Sequence, residues 1–480
     1  MITPRLCHRA APLIWPRTRA HRIIAERAAS QFEDHNRDIF GVQPGELPHQ
    51  FSNLYFARLN VLRPRVEAAA KARWGATALE NVVKVLDAVP DAPTVAIGTL
   101  YREMKGKPDI MEDSTRDVLE KRPAESERMF TKYCGEDDVL LLEDDSGRLA
   151  LKLPEALADT IFVTGMVACV RGKLSEMGEL VVDDVCLPGL GPQRPLGPPA
   201  ASGERFVALV SGLHIGHRTQ DMLPVQLLAE HLTGQLGCDE DHRLQSNIVR
   251  LIIAGNASTN PALALADASG GEWQPSDALK RMAPTDQKAL AQSVRTLDQF
   301  LTAVSSAIPV DLMPGSDDPC NFLLPQQPFH TSLLPHSSQL ATLNLCTNPY
   351  CCDVDGVRIV GSAGQPLDDM QRYVPSDDRL ATLVRSLEFQ HLAPTAPDTL
   401  GCYPFERRDP FVINECPHLY FAGNQPRFES KAVIGPEGQR VRVVLVPDFA
   451  KEHTCVLVSL DTLECTPISF AGLAGDSMVM

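Results

Sequence analysis

The sequence contains no Cys-x-x-Cys pair, although its 13 cysteines are scattered from Cys7 to Cys465. Zinc ribbons and iron–sulfur sites need closely spaced thiolates, so such a cluster carried by this chain alone is not expected. Cys351 and Cys352 are adjacent, and the others stand apart. We therefore predict reduced thiols, as in an intracellular protein.

Long apolar runs and an excess of basic residues are also missing. Hydrophobic residues make up 44% of the chain, yet no apolar run approaches the length of a membrane span, which predicts a soluble globular protein. The formal net charge is -16, whereas a protein that binds DNA by bulk electrostatics would be basic. At 480 residues the chain is long enough for two or three domains, and its charge favours protein partners.

Two common catalytic loops are absent as well. The glycine-rich stretch from Gly361 to Gln365 is not followed by Lys-Ser or Lys-Thr, so it does not match a phosphate-binding loop. No Gly-x-Ser-x-Gly occurs, which leaves a serine hydrolase without support.

What the sequence does contain is a series of buried strands that end in turns of small residues. The run from Phe206 to Val210 and the run from Ile248 to Ala254 both end in this way. Ligand sites form at such carboxyl ends in open α/β sheets. A two-metal phosphoesterase would place carboxylates and an imidazole there to hold its ions. The corresponding positions hold Gly212, His214, Asn256 and Thr259.

Two later strand ends repeat this loss of ligands. They follow the predicted strands from Ile308 to Met313 and from Leu419 to Ala422, where such an enzyme would supply an amide and its remaining imidazoles. The corresponding positions hold Ser316, Asp317, Asn424 and Pro426.

His214 is the one imidazole that remains of this set, and one imidazole cannot hold a metal. A hydrogen-bonded loop histidine is the ordinary explanation for it. Asp317 and Asp318 could recruit Mg²⁺ together with Asp398, but the sequence favours the simpler explanation that they cap turns or pair with nearby cations. We predict neither a bound metal nor a cofactor.

Several longer runs carry a resemblance to a known family. They are His391 to Phe405, Met313 to Gly315, Leu324 to Pro328, Thr347 to Tyr350 and Phe421 to Asn424. In these runs the chain resembles the B subunits of the replicative DNA polymerases alpha, delta and epsilon, and most closely the delta type. The run from Pro394 to Phe405 is highly specific to the delta type, and it begins with the family motif Pro394, Thr395, Ala396, Pro397, Asp398, Thr399, Leu400 and Gly401.

The resemblance implies a multidomain α+β fold, in which a five-stranded OB-fold barrel packs on an inactive calcineurin-like phosphoesterase α/β sandwich. It implies a non-catalytic scaffold subunit of DNA polymerase delta, active in replication and repair synthesis in the nucleus. The implied partners are the metal-binding C-terminal tail of the catalytic subunit, which would bring its own metal centre, and a smaller third subunit. DNA would be reached only through the complex.

The composition divides the chain into six predicted parts. Residues 1–45 form a basic, disordered extension, 46–92 a helical segment, 93–189 the barrel, 190–203 a Pro/Gly linker, 204–472 the inactive metallophosphoesterase-like domain, and 473–480 a tail. The arginines from Arg5 to Arg22 precede the first acidic residue, so an organelle transit peptide stays open as an alternative.

Local patterns predict the elements of these parts. Helices are expected between Tyr55 and Trp74, with a bend at Pro64, and from Ala78 to Leu86. The alternation of strands and helices after residue 204 predicts a parallel sheet covered on both sides. The five barrel strands are expected at Thr94 to Leu100, Val139 to Leu142, Arg148 to Leu153, Phe162 to Val170 and Glu179 to Leu187.

Three other functions stay open from the sequence. The chain could be a working metal-dependent phosphodiesterase or 3′–5′ exonuclease, with ions near His214 and Asp317. Its barrel could bind single-stranded nucleic acid, although acidic runs such as Glu143 to Asp145 and the scarcity of aromatics favour protein contacts. The chain could also be the B subunit of polymerase alpha or epsilon, which the run from Pro394 to Phe405 opposes.

Overall fold

The computed structural model describes residues 27–43, 50–79, 82–107, 132–135, 137–157, 160–197, 203–217, 221–259 and 284–471. Within these ranges the chain forms one closed barrel and two six-stranded sheets. The α-helices are α1 (Asn36–Phe40), α2 (Ser52–Trp74), α3 (Leu223–Leu232), α4 (Asp239–Ser246), α5 (Pro284–Ser305), α6 (Gln365–Tyr373), α7 (Arg379–Glu388) and α8 (Phe449–Glu452).

The barrel is closed by five strands, as the sequence predicts. They are β2 (Pro93–Glu103), β3 (Val139–Glu143), β4 (Arg148–Lys152), β5 (Val167–Leu174) and β6 (Glu179–Cys186). Their order around the barrel is β2-β3-β4-β6-β5, with β4 and β6 parallel and the other neighbours antiparallel. Helix α2 packs on the barrel through an apolar stripe that includes Leu59, Leu62 and Val66.

The first sheet has the order β10-β9-β8-β7-β16-β17. Its strands are β7 (Phe206–Val210), β8 (Ile248–Ala254), β9 (Val310–Met313), β10 (Leu343–Leu345), β16 (Thr454–Ser459) and β17 (Cys465–Ser469). Strands β7 to β10 run parallel, and β8 is buried along its whole length. A parallel strand covered on both faces needs a continuous apolar run, which is why this strand is readable in the sequence.

The second sheet has the order β1-β11-β12-β13-β15-β14. Its strands are β1 (Phe32–Asp34), β11 (Tyr350–Val354), β12 (Val357–Ser362), β13 (Leu419–Gln425), β14 (Glu429–Ile434) and β15 (Arg440–Pro447). The central strands β12, β13 and β15 are parallel to one another. Their carboxyl ends therefore share one edge of the sheet.

The two sheets pack face to face and carry helices on their outer faces. Val207 and Leu209 of the first sheet join Phe421 and Val444 of the second in one buried cluster. Alternate residues of the first sheet face α3 and α5, and alternate residues of the second face α6 and α7. The buried cluster on that outer face of the second sheet continues into the barrel, so the barrel and the sandwich share part of a core.

Three local predictions are wrong. Residues 162–166 are not part of β5, because Gly165 has a φ of +89° in a turn and donates its amide to Leu100. The expected helix from Ala78 to Leu86 is replaced by 3-10 turns at Ala76–Leu79 and Val85–Asp87, between which Val82 bridges to Val95 of β2. Residues 52–74 form one helix that contains Pro64, rather than several.

The prediction of a disordered extension over residues 1–45 is also wrong for residues 27–43. Strand β1 pairs antiparallel with β11, and Arg27 donates hydrogen bonds to the carbonyl oxygens of Leu232 and Gln245 at 2.8 Å each. These backbone and guanidinium contacts hold the segment against both sheets. The arginines from Arg5 to Arg22 lie outside the described residues.

The predicted linker makes specific contacts where it is described, up to residue 197. Gln193 donates hydrogen bonds to the carbonyl oxygens of Pro417 and Arg440 at 2.9 Å each. Every cysteine in the described ranges is unpaired. Among the helices in those ranges, none has the length and apolar character to cross a membrane.

Candidate functional site at the strand ends between the two sheets

Four strand-end loops meet at one edge of the sandwich. Gly212, after β7, donates its amide to Gly255 O at 3.0 Å, and the amide of His214 reaches Asn256 O at 2.9 Å. Asn424, at the end of β13, donates its amide to Ser211 Oγ at 2.8 Å. The loops converge because β7, β8 and β9 are parallel in one sheet and β13 ends at the same edge of the other.

Asp448 supplies a carboxylate that the sequence analysis did not identify. It follows β15, and a Cβ added to Gly212 would lie 2.5 Å from its Oδ1 atom. The same carboxylate accepts a hydrogen bond from the amide of Ala450, where it caps α8. The signal in the sequence was an acidic residue directly after an apolar strand, which was visible but could not be placed beside Gly212 without the sheet order.

The imidazole of His214 lies between two carboxylates. Its Nδ1 atom is 3.6 Å from Asp317 Oδ2, and its Nε2 atom is 3.6 Å from Asp448 Oδ1. Burial favours the neutral ring, but the charges of Asp448 and Asp317 outweigh burial and raise the pKa of His214. Burial likewise opposes ionisation of Asp448, but His214 and Lys451 lower the pKa of this carboxyl. The two carboxylates therefore favour the protonated form of the ring.

The amide and hydroxyl groups in the next two loops bond to one another. Asn256 Oδ1 accepts hydrogen bonds from the amide of Asp317 at 3.0 Å and from Ser316 Oγ at 3.3 Å. Thr259 Oγ1 donates to the carbonyl oxygen of His214 at 3.3 Å. These three positions therefore stabilise the loops locally.

Asp318 is buried and ties two of the loops together. It accepts hydrogen bonds from the amides of Ser258 at 2.8 Å and Gly315 at 2.9 Å. Burial raises the pKa of Asp318 to about 6, against the lowering effect of these hydrogen bonds. The interpretation of Asp318 as a turn-capping residue agrees with this geometry.

Asn424 and Pro426 lie where imidazoles would be expected. The Asn424 amide nitrogen donates to Ala363 O at 2.8 Å and to Ala254 O at 3.2 Å, so it links the two sheets. Its Oδ1 atom is buried and has no hydrogen-bond partner within the described structure. Pro426 lies apart from the other positions, in the wall of a cleft that also contains Asp368 and Arg379.

These donors do not fit the two-metal centre that a phosphoesterase fold implies. A pair of hard ions needs a bridging carboxylate and several imidazoles, whereas position 212 is glycine, position 256 is an amide, and one imidazole is present. Elsewhere in the described ranges, Glu33, His35 and Asp353 bring ligand atoms within 4.8 Å of one another. Asp353 is already bonded by two guanidinium groups, those of Arg358 and Arg194.

The motif from Pro394 to Gly401 lies elsewhere, between the barrel and the sandwich. Its first three residues are buried, and the carbonyl oxygens of Pro394 and Ala396 accept hydrogen bonds from Arg58. Asp398 accepts from Lys107 at 2.6 Å, and Thr399 shares a 2.8 Å hydrogen bond with Tyr373. Pro397 and Leu400 are half-buried, and Gly401 O accepts the amide of Leu324.

The sequence analysis did not identify Arg58. It lies in a helix that carries several arginines, and nothing in the sequence of that helix distinguishes a buried guanidinium from an exposed one.

The described surface of the barrel carries paired charges. Lys84 pairs with Asp145, Lys105 with Asp137, and Arg73 of α2 with Asp184. The ring of Tyr101 is covered by the cations of Lys107 and Arg148, and Phe162 is buried. Phe130 lies outside the described residues. The paired cations and covered rings offer little to a stacked nucleic-acid base.

Comparison with known proteins identifies both parts of the fold. The family model described as DNA polymerase delta subunit OB-fold domain matches residues 50–185, which contain α2 and the barrel. The family model for the B subunit of DNA polymerase alpha/epsilon matches residues 207–430, which contain much of the sandwich.

Curated relatives cover most of the chain. The DNA polymerase delta small subunit of Arabidopsis thaliana is 39% identical over 430 residues, with 88% of this chain and 91% of the relative covered. DNA polymerase delta subunit 2 of Drosophila melanogaster is 34% identical, with 93% and 99% covered. The DNA polymerase delta small subunit of Saccharomyces cerevisiae is 32% identical, with 87% and 89% covered. The chain therefore belongs to the family of DNA polymerase delta small subunits.

Proposed function

We propose that this chain is the non-catalytic accessory subunit of a DNA polymerase delta holoenzyme. It acts as a scaffold in replication and repair synthesis in the nucleus, and it binds the C-terminal metal-binding tail of the catalytic subunit and a smaller third subunit. The names of its relatives support a role as a polymerase subunit. The resemblance of the motifs supports the two partners.

One observation carries the non-catalytic part of the proposal. At the strand ends where a phosphoesterase would bind its ions, His214 lies between Asp317 and Asp448, and a Cβ added to Gly212 would lie 2.5 Å from Asp448 Oδ1. The side chains of Asn256, Ser316 and Thr259 form hydrogen bonds with groups of these same loops. Removing like-charged carboxylates from a buried site also removes a desolvation cost that only bound metal would offset.

Copurification tests the scaffold. The tagged chain, isolated from its own cells at moderate salt, should bring down a family-B polymerase subunit together with a smaller protein. A catalytic subunit that lacks its C-terminal tail should not be recovered. Recovery of the chain alone would contradict the proposed scaffold function.

A nuclease assay tests whether the site is inactive. The purified chain with Mn²⁺ should leave a labelled DNA strand intact. If the strand is degraded, a His214→Ala variant decides the source of the activity. Activity that disappears in this variant would establish the metal-dependent phosphodiesterase or exonuclease instead, whereas activity that persists would come from a contaminant and leave the proposal standing.

A further inference from the structure

A fully buried arginine joins the barrel side of the molecule to the sandwich. Arg58 lies in α2, which packs on the barrel, and its side chain has no exposed surface. Its donors reach Asp409 Oδ2 at 2.7 Å, Pro394 O at 2.7 Å, Ala396 O at 2.7 Å and Gly165 O at 3.2 Å. A buried guanidinium is tolerated when its fork of N–H groups is satisfied, and here the acceptors come from both sides of the domain boundary.

The two backbones also meet at this point. Gly165 lies in the barrel loop before β5, and a Cβ added there would overlap both the carbonyl oxygen of Pro394 and the guanidinium of Arg58. Its φ of +89° is another reason why glycine is needed. The barrel therefore approaches the motif as closely as backbone atoms allow.

Asp409 completes the cluster on the sandwich side. Its carboxylate accepts from Arg58, from His391 Nε2 at 2.8 Å and from the amide of Phe411 at 3.0 Å. His391 Nδ1 accepts the amide of Ala393 at 3.2 Å, immediately before the motif. The motif is thus held at its start by the same buried charges that hold α2.

A second set of contacts joins the domains near the surface. Lys107 of the barrel pairs with Asp398 of the motif at 2.6 Å, with side-chain exposures of 20% and 15%. Arg102 of β2 donates to Tyr373 O at 2.7 Å, and the Tyr373 hydroxyl donates to Asp398 Oδ2 at 3.1 Å. Asp398 therefore connects a barrel lysine with a helix of the sandwich.

The burial of Thr395 and Ala396 limits which contacts the motif can make with a partner protein. Thr395 and Ala396 have no exposed surface, so no partner protein can contact these side chains without opening the fold. A motif whose first residues are buried and which is bonded to both domains is suited to fixing their relative orientation.

We propose that the segment Pro394–Gly401 is an interdomain latch and that Arg58 is its positioning residue. The latch holds the barrel and the sandwich in one orientation, so that their surfaces act as a single rigid face. This role does not depend on whether the strand-end site is active or on which partners bind.

The test uses the full-length chain with an Arg58→Met substitution. Hydrogen exchange should become about ten-fold faster in the peptides that contain Gly165 and Pro394 to Gly401, with little change in β8 at the centre of the first sheet. Small-angle X-ray scattering should show a larger radius of gyration, because the barrel is free to reorient. The matched control is Arg63→Met, since Arg63 lies on the same helix but donates to Ile97 O of the barrel. It should change neither the scattering nor the exchange of the motif.

The proposal is overturned if Arg58→Met accelerates exchange equally in both domains and leaves the scattering unchanged. Loss of the buried guanidinium could also prevent folding, so the contact between Lys107 and Asp398, which is nearer the surface, gives a second test. Lys107→Met and Asp398→Asn should each accelerate exchange in the same two peptides, and the double variant should be no faster than either single variant. Independent, additive effects, or no effect on those peptides, would overturn the latch.

Discussion

The ring of His391 is neutral in the folded protein and makes stability depend on pH. Its Nδ1 atom accepts the amide of Ala393, so Nε2 carries the proton donated to Asp409. Burial and the charge of Arg58 lower the pKa of His391 to about 4, against the opposing charge of Asp409. In the unfolded chain a histidine has a pKa of about 6.5.

Between about pH 6.5 and 4 the unfolded state therefore binds the extra proton. The stabilising contribution is fully present above about pH 6.5 and is lost as the pH falls toward 4. We predict that His391→Gln removes up to about 1.4 kcal/mol per pH unit from the slope of unfolding free energy in this window. Urea unfolding of both proteins at several pH values measures the difference. Parallel pH curves would show that His391 does not titrate as described.

Gly212, directly after β7, has a backbone conformation and a close neighbour that both favour glycine. Its φ of +66° disfavours any side chain, and a Cβ would lie 2.5 Å from Asp448 Oδ1. Gly178 offers a matched control, because its φ is +81° but nothing lies within 4 Å of an added Cβ. We predict that Gly178→Ala costs about 1 kcal/mol of stability from backbone strain alone. Gly212→Ala should cost about 1–3 kcal/mol more because of overpacking. Equal costs in denaturant titrations would mean that Asp448 moves aside freely.

At the scale of elements, the sequence predicted the strands whose identity depends on local pattern. The buried run Ile248–Ala254 was predicted with its observed bounds, because a strand covered on both faces must be apolar throughout. The pattern was wrong at residues 162–166, where an apolar stretch turns at Gly165 because the motif approaches it there. Strand β1 was missed because three residues, Phe-Glu-Asp, pair with β11 more than 300 positions away, and no local signal encodes such pairing. The strand-end loops were also predictable from local pattern, because each follows directly after an apolar strand. The roles of Asp448 and Arg58 were not predictable, because they depend on which elements pack together in the folded chain.

Strand β1 places the ring of Phe32 against the buried guanidinium of Arg250. Substitution of Phe32 should therefore lower the stability of the fold measurably. The ring centroid lies 3.4 Å from the guanidinium carbon of Arg250, whose Nη1 atom donates to Asp311 at 2.7 Å. Arg250 Nε is buried without a hydrogen-bond partner in the described structure, and the ring lies against the same guanidinium. We predict that Phe32→Ala costs about 3 kcal/mol of stability, from lost apolar burial and the lost cation–π contact.

Phe32→Leu is the control for that change, because it keeps an apolar side chain but removes the aromatic face. It should cost about 1 kcal/mol. Differential scanning calorimetry distinguishes the two variants. If alanine and leucine are equally tolerated, the N-terminal segment does not contribute to the stability of the sandwich.

At the scale of the whole molecule, the net charge and the pairing of surface cations determine how strongly the protein can bind DNA. The chain carries a net charge of -16, and Arg73, Lys84 and Lys105, on or beside the barrel, pair with nearby carboxylates. Binding of single strands depends on counterion release by unpaired cations and on exposed aromatic rings.

We predict a dissociation constant weaker than about 10⁻⁴ M for the isolated chain at about 150 mM salt, and almost no dependence on salt. Fluorescence anisotropy with a labelled single strand measures both quantities. The complex reconstituted with its polymerase subunits should bind more tightly and with a steep salt slope, and Lys84→Glu on the barrel should leave that affinity unchanged. A steep slope for the chain alone, weakened by Lys84→Glu, would instead assign DNA binding to the barrel.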